Sequence, residues 1–324
     1  MPRGRPPART NIVQENELLS LNQIRQERWR LITLGGEPQL EWLARHGLIR
    51  NSFDCPNCFI PCGLCSDDSI DGKQWKCRRC NLRRSVRIDS FFSRSHLALN
   101  QLVPLLYCWS YDFPQVQTMQ ECGIPDNGHT LPEWYDKCRD VCENYLEDHP
   151  CEIGGMDSNT GEPIVVEIDE SKFFRRKYNR GNHVSGHWVF GGIERGSHRC
   201  FMVEVADRRR ETLEEAIRRW ILPGTHIVSD GWAAYAHIDE IGHGIYTHSV
   251  IIHNENFVDP NHPDVHTQNV ECMWMRAKRK LRRQHGTSDA LFASYLSEFV
   301  WRCHFHEWDK FAAFIHCLRL YFCL

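Results

Sequence analysis

Two Cys-x2-Cys pairs, Cys55/Cys58 and Cys77/Cys80, stand 18 residues apart, and no other feature of the 324-residue chain constrains its folding as tightly. Each pair makes a knuckle that turns two thiolates to one side. Two knuckles at this spacing close a tetrahedral site around one Zn²⁺. Four thiolates leave no open coordination position, so the site is structural, and so small a module needs the metal in order to fold. Trp75-Lys76 reads as a strand entering the second knuckle, which predicts a zinc ribbon over 50–92. A third pair, Cys62/Cys65, is an alternative first knuckle, although it lies only 11 residues before Cys77. Cys138 and Cys142, at i and i+4 of a predicted helix, read as core thiols. The chain holds 16 cysteines, a number that suits a disulfide scaffold only in a short secreted protein. At this length and with no export signal, reduced thiols are expected, some of them on metal.

Thirty-nine basic against forty-two acidic residues leave a net charge of -3, so any affinity for nucleic acid must come from local patches. No apolar run is long enough to span a bilayer, and no membrane association is expected. The pattern divides the chain into a disordered basic arm at 1–14, a helical N-terminal segment at 15–49, and the ribbon. A helical segment for DNA binding or dimerisation follows at 93–152, punctuated by Pro114, Gly123-Ile124-Pro125 and Asn127-Gly128. From about residue 160 strands and helices mix, giving an α/β domain over 160–310 and a C-terminal helix at 311–324. Strands are expected at Ile164–Ile168, Trp188–Phe190, Cys200–Val205, His226–Ser229 and Thr247–Ile252. Gly191-Gly192 and Gly196-Ser197 read as punctuation between them. Thr212-Leu213-Glu214-Glu215 has the form of a capping box for a helix that Pro223-Gly224 ends. Helices are expected at about 266–284, 289–303 and 308–322.

Two of these strands run into an aspartate, Asp169 and Asp230, and a third acid, Glu271, opens the helix after 266. Phosphodiester chemistry with two Mg²⁺ (or Mn²⁺) needs hard carboxylates that hold the ions about 4 Å apart, one for the attacking oxygen and one for the leaving oxygen. Strand ends fix two carboxylates and a helix packed on the sheet brings the third. Glu167, on the same strand face as Asp169, is a rival ligand that reads better as a neighbour. Glu170 points to the opposite face. Spacing alone does not separate such a set from exposed caps and turns.

Several segments carry a resemblance. Val166-Glu-Ile-Asp-Glu-Ser-Lys-Phe173, Lys177-Tyr-Asn-Arg-Gly181, Gly186-His-Trp-Val-Phe-Gly-Gly-Ile193, Ser229-Asp-Gly-Trp-Ala-Ala-Tyr235, Asn256-Phe-Val-Asp-Pro260 and His266-Thr-Gln-Asn-Val-Glu271 lie in the α/β domain. The last runs on to Trp274 and Lys278-Arg-Lys-Leu-Arg282, and Cys55-Pro-x-Cys58, Trp75-x-Cys77 and Ser90-Phe-Phe-Ser-Arg94 lie upstream. In combination the chain resembles, over about residues 50 to 310, the transposases of the Merlin superfamily and the related bacterial insertion-sequence transposases. The resemblance implies a ribonuclease H-like DDE catalytic domain, preceded by the zinc ribbon and a helical segment. By it Asp169, Asp230 and Glu271 take the places of the acidic triad that binds two Mg²⁺. It implies cutting at terminal inverted repeats, joining of 3′-hydroxyl ends to target DNA, and a homodimer or higher homo-oligomer that holds two ends. Cys62 and Cys65 are extra, and the loop with His262-Pro-Asp-Val-His266 is slightly long.

Basic runs flank the proposed metal site. Lys172, Arg175, Arg176, Lys177 and Arg180 follow the first acidic strand, and Arg276, Lys278, Arg279, Lys280, Arg282 and Arg283 lie on the helix of Glu271. Both sets are expected to contact double-stranded DNA, and Arg276–Arg283 also reads as a nuclear localisation signal. Arg3 and Arg5, in Pro2-Arg-Gly-Arg-Pro6, have the form of a minor-groove hook. Lys73, Lys76, Arg78, Arg79, Arg83 and Arg84 are phosphate-contact candidates on the ribbon. Residues 97–148 can hold a helix-turn-helix with Gly123 in a turn, though no basic recognition helix is evident. A reading from another class is a host-domesticated, catalytically silent DNA-binding protein; an intact triad argues against it.

Overall fold

The computed structural model describes residues 9–13, 36–174, 186–251, 266–283 and 288–322. Arg3, Arg5, residues 15–35, Arg175, Arg176, Lys177 and Arg180 lie outside the described residues. The chain divides into two compact units, one of residues up to Val141 and from Glu307 onward, the other Cys142–His306.

In the first unit, helix α1 (Glu37–Arg45) buries Leu40, Trp42 and Leu43. Strands β1 (Gly63–Ser66), β2 (Lys73–Lys76) and β3 (Arg83–Ser85) form an antiparallel sheet in that order. So short a sheet needs support beyond its ladder. The fully buried Trp75 supplies some of it. More comes from Arg87, paired with Asp71 out of solvent and donating to the Leu97 carbonyl at 2.7 Å. Helices α2 (Leu99–Ser110), α3 (Gln115–Cys122) and α4 (Thr130–Asp148) follow. Gly123 ends α3 in the left-handed region, at φ 60°, as a turn there requires. The helix after that turn, α4, is where a recognition helix would lie, and its sequence carries more acidic than basic residues. The last helix, Lys310–Phe322, belongs to this unit and packs Phe314 on Trp109 with ring centroids 4.6 Å apart.

The second unit begins with α4's last turns and β4 (Ile153–Gly154). It continues through β5 (Val165–Phe173), β6 (His187–Glu194), β7 (Cys200–Val205), α5 (Arg210–Trp220), β8 (Ile221–Leu222), β9 (His226–Asp230), β10 (Thr247–Ile251), α6 (Gln268–Arg283) and α7 (Asp289–His304). Five strands pair in the order β10-β9-β5-β6-β7. β5, β6 and β7 are an antiparallel meander, whereas β9 runs parallel to β5 and β10 parallel to β9. This mixed sheet with helices packed on it is the ribonuclease H-like α/β fold. Val270, Met273, Trp274, Ala277 and Leu281 recur at helical spacing and form the buried stripe of α6. Leu213 and Ile217 do the same for α5, and Phe292, Leu296 and Phe299 for α7.

Three local expectations are corrected. β5 does not end at Asp169: Ser171, Lys172 and Phe173 keep pairing with Val189, Trp188 and His187, which leaves Asp169 in mid-strand. Gly191 and Gly192 lie inside β6 and do not punctuate it. A Cβ at Gly191 would come 2.7 Å from the Trp274 ring and one at Gly192 2.7 Å from the Phe201 ring, so both glycines make room for bulky neighbours. Thr212 is not a cap. The helix starts at Arg210 with Arg209 as an N-cap that makes no side-chain cap bond, and Thr212 lies inside it, its hydroxyl donating to Asp207 Oδ1 at 2.8 Å. Among the described residues no helix is long and apolar enough to cross a membrane.

Candidate active site and metal centre

The two knuckles fold alike. The Cys55 N–H donates to the Ile60 carbonyl at 2.9 Å and the Cys77 N–H to the Leu82 carbonyl at 2.8 Å. Phe59 and Asn81, each just after the second cysteine, donate back to Cys55 and Cys77 and sit at φ 55° and 58°. Those turns bring the sulfurs of Cys55, Cys58, Cys77 and Cys80 within 4.8 Å of one another. A zinc tetrahedron with Zn–S near 2.3 Å needs sulfurs about 3.8 Å apart, so the set fits zinc. Burial and the neighbouring Cys80, Cys55 and Cys77 thiols push Cys58 up to about 12. The Leu82 backbone and the neighbouring thiols instead hold Cys80 down to about 6. Such a cluster takes one negative charge readily and further ones only against a cation. Cys62 and Cys65 do not join the four, which closes the alternative knuckle. Arg78, Arg79, Arg83 and Arg84 are exposed, whereas Lys76 is half-buried and Lys73 lies 3.8 Å from Glu37.

In the second unit the register of β5 with β9 runs to Glu167 opposite Val228. Two residues further along these parallel strands stand Asp169 and Asp230, on neighbouring strands and on the same sheet face. Burial, then the charges of Glu170 and Asp230, push the half-buried Asp169 up to about 7. The Trp274 indole N–H donates to Asp169 Oδ2 at 3.0 Å. That bond fixes α6 against β5, and Glu271 lies one turn earlier on the same helix, in its first turn and exposed. Hard oxygen donors around an acid whose charge is disfavoured suit a divalent cation. Lys278, one turn beyond Trp274, donates to the Ser171 hydroxyl on the strand of Asp169.

Glu167 is a residue whose task spacing could not reveal. Fully buried, it accepts from Arg195 Nε at 2.7 Å, from the Asn269 and Val270 backbone N–H groups at 2.8 and 3.1 Å, and from Asn269 Nδ2 at 2.6 Å. A carboxylate there satisfies first-turn donors of α6 and complements the helix dipole. It anchors the helix of Glu271, with its oxygens committed to protein donors. Glu170, on the opposite face as expected, pairs with Arg208 at 2.9 Å and accepts from the Tyr235 hydroxyl. Arg276, Arg279, Arg282 and Arg283 are exposed along α6. Lys280 stands apart from them, because its ammonium is 2.8 Å from the buried Glu298 on α7.

Residues 162–304 match the family described as the ISXO2-like transposase domain. The matched stretch contains Asp169, Asp230 and Glu271 and supports an insertion-sequence-type DDE transposase. No curated protein matches the chain. The catalytic core domain of HTLV-2 integrase, solved with magnesium in a dimeric form, is similar at 11% identity and a TM-score of 0.27, over 43% of this chain and 82% of that one. A chain of the simian T-cell lymphotropic virus intasome, in complex with PP2A regulatory subunit B56 gamma, is similar at 15% identity and a TM-score of 0.30, over 61% of this chain and 67% of that one.

Proposed function

We propose that this chain is a cut-and-paste DNA transposase of the Merlin superfamily, with Asp169, Asp230 and Glu271 as its metal-binding catalytic triad. The observation that carries the reading is the neighbouring pair Asp169 and Asp230, joined through Trp274 to the helix of Glu271. The reaction is in-line displacement. The oxygen of water bonds to a phosphorus at the element end, the P–O3′ bond breaks, and a 3′-hydroxyl and a 5′-phosphate are left. That hydroxyl then attacks a phosphodiester of the target and displaces its 3′ oxygen. Two Mg²⁺ or Mn²⁺ ions, when bound, would supply Lewis acidity to the attacking and leaving oxygens. Asp169 and Asp230 would hold both and Glu271 the second. The exposed arginines of α6, with Lys278 and Lys172, offer charge to the backbone of double-stranded DNA. Arg175, Arg176, Lys177, Arg180 and the arm arginines Arg3 and Arg5 belong to the same proposal. Holding two ends together calls for a homodimer or larger assembly, and the basic run of α6 would serve nuclear entry.

The test is nicking and strand transfer on a plasmid carrying the gene's own flanking DNA, with Mg²⁺ or Mn²⁺. Wild type cuts at a defined end, and Asp230→Asn lowers the rate on the order of 10³-fold with the fold intact. Wild type that binds this DNA but neither cuts nor joins it would replace the proposal with the silent DNA-binding protein.

A further inference from the structure

Beside the carboxylates stands an aromatic group that the chemistry above does not use. Trp232 follows Asp230 by two residues, and its backbone N–H donates to Asp230 Oδ1 at 3.0 Å. Its side chain is 41% exposed, a large apolar surface left in water. The ring is nevertheless held. The Arg208 guanidinium lies 4.5 Å from the Trp232 ring and 4.1 Å from the Trp188 ring, so it contacts both indoles. Arg208 is fixed in turn by Glu170 at 2.9 Å, and Glu170 by the buried Tyr235 hydroxyl. With its charge matched by Glu170, Arg208 serves chiefly to set the angle of an exposed indole.

An ordered, solvent-facing indole suits a flat, weakly hydrated partner. In a site that acts on nucleic acid, that partner is a nucleobase, whose π-face every sequence offers. Two residues of chain span at most about 7 Å. The indole leans to Arg208 on the Glu170 face of the sheet, and Asp230 ends β9, so a base swung out of its duplex beside a phosphate at Asp230 reaches Trp232 around that strand end. We propose that Trp232 is a stacking platform for the unpaired base next to the scissile phosphate, with Arg208 and Trp188 as positioning residues. The proposal rests on the transposase reading and adds a protein contact that ignores base identity.

The experiment uses the full zinc-loaded chain and duplexes covering the cleaved end, with 2-aminopurine placed singly on either side of the mapped cut and Ca²⁺ present to permit binding without turnover. In the wild-type complex one position is expected to be unpaired yet quenched by the indole. In Trp232→Ala that same position brightens several-fold and binding weakens about 5- to 150-fold. Trp232→Phe keeps most of the quenching and affinity, and Arg208→Ala gives an intermediate signal. If Trp232→Ala fails to fold, Trp232→Gln provides the same comparison. Identical fluorescence in wild type and the alanine or glutamine variant, with wild type cutting normally, overturns the platform and leaves the transposase standing. Wild type that neither binds nor cuts the DNA overturns both.

Discussion

The ribbon gathers one cation site and the sheet carries the proposed second, by opposite means. In the ribbon, four soft ligands come from two local turns of similar shape and stand within 4.8 Å of one another. In the sheet, the proposed hard ligands come from β5, β9 and α6, far apart in sequence. Among the described residues only the thiols gather that closely. The difference teaches what each site is suited to. A closed set of thiolates holds its ion for the sake of the fold. An open set of carboxylates on a rigid frame leaves room for a substrate oxygen, and its geometry depends on the frame more than on the ion.

The contrast is sharpest under metal removal. Stripping zinc, or Cys77→Ser, is expected to unfold the ribbon, since zinc coupling in such modules is worth about 10–16 kcal/mol. Fluorescence of the buried Trp75 should shift to the red and metal content should fall. Withdrawing Mg²⁺ should abolish nicking with little change in melting temperature. A ribbon that melts unchanged without zinc would break the comparison.

A second break strikes the frame. Glu298 ties Lys280 of α6 and Arg302 of α7, both at 2.8 Å. Despite burial, which acts the other way, Lys280 and Arg302 hold its carboxyl down to about 2. Glu298→Ala takes the shared, fully buried carboxylate away from two half-buried cations and should cost about 3–5 kcal/mol by denaturant unfolding, with zinc content unchanged. Because the folded-state value lies below the unfolded one, the pair's contribution is complete above about pH 4.5 and is lost as pH falls toward about 2. The variant's stability should therefore vary less with pH across that window.

A smaller perturbation reaches the carboxylates through packing. Gly191 faces Asp169 across the β5–β6 ladder, and a Cβ there meets Trp274. Gly191→Ala should cost about 1–3 kcal/mol and slow nicking more than its stability loss explains, as the indole leaves Asp169. The smallest effect has the opposite sign. Asp169→Asn removes a carboxylate crowded by Glu170 and Asp230, and should raise the melting temperature of the metal-free protein by about 2–4 °C while ending catalysis. A lowered melting temperature would count against an electrostatically crowded site.

The ribbon was legible in the sequence because ligand spacing within a turn is a local property, and so was the stripe of α6, which repeats every three or four residues. Asp169 and Asp230 were visible as acids after β-branched runs, but not their mutual register, which is set by pairing between distant strands. Glu167 was visible only as a rival ligand, since its partners Asn269 and Val270 lie about a hundred residues on. The Gly191-Gly192 pair misled for the same reason. A glycine that clears space for a side chain from another element looks, in one dimension, like a break.

The anchoring of α6 has a mechanical consequence. A rod held at one point can still roll about its axis; held at two, it cannot. Glu167 grips the first turn and Glu298 takes Lys280 near the other end, with the Trp274 bond between them. Roll of this helix, which would swing Glu271 through an arc past Asp169, is thereby opposed by two acids that belong neither to the thiol cluster nor to the proposed triad. Whatever length of chain leads into the helix, the bearing of its third acid is set by the strand and helix it rests on.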